Sequence, residues 1–222
     1  MTLTILGRCP QSGQLGGAVT TSDVAVGARV LFAQPGLAVV ATQHRTDPRL
    51  GPALLDELQA GHTVSEAVFA VADAAPHGRW RQLGVLDAAG RSAAYSGELL
   101  WPIGAELAGE NCLVLGNVLS NDRVAPAIVD AFESGPPELA DRLLGAVRAG
   151  ERAGGEVGEL RSAALLVVER ESFPLIDLRV DDDPDPLGRL DGLWEVYRPL
   201  VRVFVARALD PDNVQRSSST TT

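Results

Sequence analysis

The stretch TLTILGRCPQSGQLGGAVTT, residues 2–21, decides the architecture. Residues 2–7 are rich in strand formers and read as a β-strand. The segment from Cys9 to Gly13 supplies proline, serine and glycine for a turn. Residues 15–21, LGGAVTT, read as a second strand, so the chain opens on a hairpin. The first strand begins directly behind the initiator methionine with a hydroxyl residue, Thr2. Either this strand is simply the edge of the fold, or the chain end is itself chemistry.

Working outward, residues 24–36 (VAVGARVLFAQPG) read as a strand-rich stretch, and 37–44 (LAVVATQH) as a buried strand. The period then changes. Leu50, Leu54, Leu55 and Leu58 recur at helical spacing, and Gly61 stops that helix. Thr63 and Glu66 form a capping box at the head of a second helix, giving a helical hairpin. Residues 81–97 read as a second β-hairpin around Asp87–Gly90, and 110–117 as a further strand. Helices are expected at about 121–134 and 137–150, and two antiparallel strands at RSAALLVVER and FPLIDLRVD. A last helix follows DDDPDP, with Pro199 expected to kink it or end its first half. The sum is α+β: a four-layer αββα sandwich of mainly antiparallel sheets, the arrangement that buries every apolar face. Residues 1–182 form the main domain, 183–209 a C-terminal helix packed on the core, and 210–222 a polar tail expected to be disordered.

Composition narrows the chemistry. The net charge of −10 argues against binding a phosphate backbone, so no nucleic-acid partner is expected. No apolar run approaches a membrane span and no signal peptide is evident, so the reading is a soluble, cytoplasmic protein with no membrane partner. All 19 basic side chains are arginine. Without lysine there is no Schiff base, no Walker-type loop and no Ser–Lys dyad. Cys9 and Cys112 read as unpaired small hydrophobes. His44, His62 and His77 show no ligand spacing, so neither a metal nor a cofactor is expected. DDDPDP lacks the spaced oxygens of a calcium loop and reads as a solvated helix cap. The stripe of Trp194, Tyr197 and Val201 reads as core or dimer contact, and the amphipathic C-terminal helix with the acidic surface fits a homodimer.

Six blocks occur in an order and spacing that resemble one bacterial family, domain of unknown function 1028: residues 2–19, VGARVLFAQPGLAVVATQHRTDPRLGP, QLGVLDAAGRSAAYSG, GNVLSN, SAALLVV and DLRVDDDPDP. The resemblance covers roughly residues 2–190. That family resembles the N-terminal nucleophile (Ntn) hydrolases. The resemblance implies an αββα sandwich and a nucleophile at the mature N-terminus. His44, Asp47, Leu50 and Arg161 depart from the family pattern. They motivate a competing reading, a non-catalytic small-molecule binding or structural protein on the same fold.

If Met1 is removed, Thr2 carries an α-amine and a hydroxyl on one residue. An α-amine with an unperturbed pKa of about 8 can take the hydroxyl proton while the oxygen attacks an amide carbonyl. Thr2 is therefore the candidate nucleophile of a C–N hydrolase acting on a small molecule or short peptide. Thr4 shares its face by the two-residue period, and Thr4 or Ser22 would be an internal alternative. Gln43 and Asn117, at strand ends, are candidate oxyanion donors. Arg45 can hold a substrate carboxylate, and His44, Asp47, Ser22 and Ser162 complete the candidate substrate contacts. Asp47 before Pro48 also reads as a helix cap, and TTSD, 20–23, as a turn with side chain–backbone hydrogen bonds.

Overall fold

The computed structural model describes residues 1–213. From residue 214 onward, the tail expected over 210–222 lies outside them.

Two antiparallel sheets stack face to face between two helical layers. In the first, β1 (Thr2–Arg8) is flanked by β2 (Leu15–Thr21) and β8 (Cys112–Asn117). Beyond them lie β9 (Ser162–Val168) and β10 (Ile176–Val180) on one side, and β7 (Ala105–Gly109) on the other. The second sheet runs β3 (Leu31–Gln34), β4 (Ala38–Gln43), β5 (Gln82–Asp87) and β6 (Ser92–Ser96) in spatial order. Helices α1 (Leu50–Gln59) and α2 (Val64–Ala74) cover the second sheet. Helices α3 (Val124–Glu133), α4 (Leu139–Arg152) and α5 (Pro186–Tyr197) cover the first. Helix α6 (Val201–Leu209) follows after a 3-10 turn at Arg198–Leu200, where Pro199 interrupts the run.

The period of two sorts β1 between layers. Leu3 and Ile5 enter the core against the helices. Leu6 enters the inter-sheet core with Leu15, Val19, Leu113 and Leu115. Thr2 and Thr4, in phase with Leu6, therefore face the second sheet. Each buried aliphatic side chain contributes about 1.5–3 kcal/mol to this stack. The two sheets approach closely: a Cβ on Gly84 would stand 2.5 Å from Leu115 Cδ1. Helix α2 starts where its capping box directs, with Thr63 Oγ1 accepting the Glu66 N–H and Glu66 accepting the Thr63 N–H.

Two local expectations are corrected. Residues 26–28 are a 3-10 turn rather than strand, because Gly27 lets the backbone press on Ala164, 2.7 Å from a would-be Cβ. Strand β7 was not expected, since AELAG is an edge strand that is exposed at every second residue. DDDPDP precedes α5, where Asp185 accepts the Gly188 N–H. Trp194 and Val201 are buried, and Trp194 Nε1 donates to Asp141 Oδ1 at 2.7 Å. No helix among the described residues is long and apolar enough to cross a membrane.

Candidate active site

The start of β1 lies at the open end of the inter-sheet space. Thr2 is opposite Asn117 in the β1–β8 register, and its Oγ1 is 3.4 Å from Thr21 Oγ1 on β2. Thr2 Oγ1 donates to the Met1 carbonyl at 2.6 Å, and the Thr21 hydroxyl donates to the same oxygen. Two hydroxyls thus converge on one point. Beside it is a cavity of about 450 Å³. Met1, Thr2, Thr21, Asp23 and Arg29 line one side, and His44, Arg45 and Trp101 the other.

The far wall is built at the end of β4, where His44 and Arg45 take left-handed φ values of 52° and 48°. Such backbone costs of order 1–3 kcal/mol per residue and persists only where neighbours hold it. His44 is held on both sides. Its Nδ1 donates to the Trp80 carbonyl at 2.8 Å, and its Nε2 accepts the Trp101 N–H at 3.4 Å. A carbonyl can only accept, so the hydrogen is on Nδ1 and the ring is neutral. Burial lowers the His44 pKa, and the N-terminal ammonium, Arg45 and Arg81 lower it further against the raising effect of the Trp80 carbonyl. The Arg45 guanidinium lies over Trp101 at 4.9 Å and Trp80 at 5.7 Å.

Behind the cavity, a buried amide network links the sheets. Thr4 Oγ1 donates to Gln43 Oε1 at 2.6 Å, and Gln43 Nε2 donates to Gln82 Oε1 at 2.7 Å. Asn117 Nδ2 donates to the same Gln82 oxygen at 3.1 Å. Gln82 Nε2 in turn faces Ser96 Oγ and the carbonyls of Ala105 and Gly116. Gln43, Gln82 and Asn117 are fully buried, and Asn117 Oδ1 has no partner among the described residues.

The structure therefore brings Thr2, His44 and Arg45 to one cavity, with Asn117 beside Thr2. Gln43 stands behind, inside the network. Asp47 faces away. Its carboxylate takes two bonds from the Arg49 side chain, at 2.9 and 2.7 Å, and one from the Arg49 N–H. Those Arg49 bonds hold its pKa below the ordinary carboxylate value. Asp47 closes the turn before α1 rather than capping it, since the helix begins at Leu50. Ser162 is buried. Its Oγ donates to the Asp23 carbonyl and accepts the Val26 N–H, fixing the turn that carries Asp23. Arg161 pairs with Asp182 on the surface.

Sequence reading missed Gln82, Trp101, Arg29 and Glu156. Glu156 is 7% exposed, and its Oε2 accepts the Ser22 N–H at 3.3 Å while Oε1 has no partner among the described residues. Burial pushes its pKa up to about 8, opposed by the N-terminal ammonium and Ser22 and reinforced by Asp23. A carboxyl that holds its proton near neutrality thus lies close to the chain start. The only signal for Gln82 was a glutamine opening a strand whose interior, Leu83 to Leu86, is apolar. Glu156 lies in a glycine-rich loop with no periodicity to mark it.

A family model described as a family of unknown function, DUF1028, matches residues 2–190. The chain belongs to the DUF1028 family. Among solved structures it is similar to protein SPO2555 from Silicibacter pomeroyi, a protein assigned to DUF1028. The two share 30% identity over 88% of each chain, with a TM-score of 0.83. A weaker likeness is to Anbu (ancestral beta-subunit) from Yersinia bercovieri. It has 12% identity and a TM-score of 0.42 over 92% of this chain and 97% of that one. No curated protein matches the chain. All the cavity residues except Met1 fall inside the stretch matched to DUF1028.

Proposed function

We infer that this DUF1028 protein is an amidohydrolase of the N-terminal nucleophile type, with Thr2 as nucleophile once Met1 is removed. The observation that carries the reading is the convergence of the Thr2 and Thr21 hydroxyls on the Met1 carbonyl at the rim of the cavity. Excising Met1 frees the Thr2 amine and vacates the point to which both hydroxyls are directed.

The chemistry then runs on one residue. The neutral amine takes the Oγ1 proton as Oγ1 bonds to the amide carbon. The C–N bond breaks, the proton passes to the departing nitrogen, and an acyl ester remains on Thr2. Water, deprotonated by the same amine, releases the acid. Asn117 is opposite Thr2 and has one amide hydrogen beyond that given to Gln82, which suits it to the oxyanion. Gln43 supports it through Gln82. Thr4 is a poorer nucleophile, being fully buried with its hydroxyl hydrogen committed to Gln43.

The test is the intact mass of protein expressed with its native start, before and after incubation with a β-lactone acylating probe. The expected result is a chain beginning at Thr2 that gains one acyl group on that residue and loses this gain in Thr2→Ala. A retained Met1, or labelling that persists in Thr2→Ala, overturns the reading. Ligand binding that survives in an unreactive protein would support the non-catalytic alternative.

A further inference from the structure

The geometry points to a carboxylate subsite in this cavity made by Arg29 and Arg45, so that the ligand is an amide carrying a carboxylate. The substrate part of this inference rests on the reading above; the subsite itself does not.

Arg29 and Arg45 both line the cavity, and neither has a carboxylate within 4 Å among the described residues. Arg29 donates through Nη2 to the Val24 carbonyl at 2.8 Å, while its Nε is buried without a partner among the described residues. A buried guanidinium N–H with no acceptor is costly and is satisfied when an anion arrives. Arg45 is held differently. Two left-handed residues and two tryptophans fix its guanidinium at the rim. The planar fork of arginine suits a carboxylate, and stacking on indole rings leaves its edge free for one. Asp23 is the one acidic side chain lining the cavity, against two guanidinium groups. His44 adds no negative charge. In a chain of net charge −10, a cavity with a positive excess is set apart from the rest of the surface.

The experiment uses the Thr2→Ala protein, confirmed by mass to have lost Met1, so that binding is read without turnover. N-acetylglycine and N-acetyl-leucine are titrated alongside their neutral C-terminal amides, with binding followed by NMR. Each acid is expected to bind at least about 10-fold more tightly than its amide, the scale of a charge-assisted pair. Arg29→Gln and Arg45→Gln should each reduce that preference and together abolish it, while Arg189→Gln, on the exposed face of α5, leaves it intact. Equal binding of acid and amide, no binding of either, or a preference that survives the double substitution overturns the subsite. Should the arginine variants fail to fold, salt decides. Acid affinity that does not fall between about 20 and 500 mM NaCl overturns the proposal. The two readings fail separately. An acid preference in a protein that hydrolyses no amide removes the reaction and keeps the subsite. Amide turnover with KM unchanged in the double variant removes the subsite and keeps the reaction.

Discussion

Replacing Gln82 by methionine keeps the length of the side chain and deletes its amide. The structure gives the cost. Gln43 Nε2 and Asn117 Nδ2 both donate to Gln82 Oε1, and no other acceptor serves either nitrogen among the described residues. Both are fully buried. Each orphaned donor costs about 1–3 kcal/mol, so the pair costs about 2–6 kcal/mol. The carbonyls of Ala105 and Gly116 lose one donor as well. An expectation near 4 kcal/mol is a large part of a total stability of about 5–15 kcal/mol. At about 2–4 °C per kcal/mol for a chain of this size, the melting point should fall by about 8–16 °C. Urea unfolding with an unchanged slope is the assay. Removing one partner at a time sharpens it: Asn117→Leu in the Gln82→Met background deletes one of the two orphans without making another, since Asn117 Oδ1 has no partner among the described residues, and should restore part of the loss. A loss under about 1 kcal/mol, or no recovery in the double variant, would refute the claim that this network holds the sheets together behind the cavity.

Other expectations follow from the same geometry. Glu156 has a folded pKa raised to about 8, so its contribution to stability is complete below its ordinary value and is lost as pH rises toward 8. Glu156→Gln should flatten the stability–pH curve between those limits and raise stability at pH 8, and unchanged curves would count against the burial argument. Gly84→Ala should cost about 1–3 kcal/mol in denaturant unfolding, because the new methyl meets Leu115 Cδ1 at 2.5 Å across the sheets; a neutral effect would mean the sheets can part. Burial raises the Cys112 pKa to about 11, whereas hydrogen bonds from residues 11 and 12 lower that of Cys9 against its own burial. A thiol reagent at pH 8 should therefore modify Cys9 first, as read by peptide mapping.

The layers were legible because they are repeated local signals. The hairpin of residues 2–21, the Thr63 capping box and the paired strands β9 and β10 each announce themselves within about twenty residues. Of the two misread segments, β7 is a half-exposed edge strand with a weak local signal, and the other is one where a tertiary contact overrides local preference. Residues 24–30 carry five valines or alanines, the valines suited to a strand, yet Gly27 packs on Ala164 from far along the chain. The candidate site was only half legible for the same reason. Thr2 is marked by its position, and His44 and Arg45 by standing at a strand end. Gln82 acts through Gly116 and Asn117, and Glu156 through Ser22, contacts that no local pattern encodes.

The placement of the chain start also bears on the order of events. Met1 is not a free end. Its carbonyl takes two hydroxyl hydrogens, and its side chain lies against Gly158, where a Cβ would stand 2.6 Å from Met1 Cε. Gly158 and Glu156 belong to one loop, which Leu119 and Val118 hold by backbone bonds. Once that loop closes, Met1 is partly enclosed, and an enzyme that trims N-termini would have to reopen it. Trimming is therefore expected before residues 155–158 pack, while the chain is still being made. A folded protein that retained Met1 should resist methionine aminopeptidase, whereas the same protein unfolded in urea and diluted into the enzyme should lose Met1 during refolding. Equal removal from both would show that the loop does not enclose the chain start in solution.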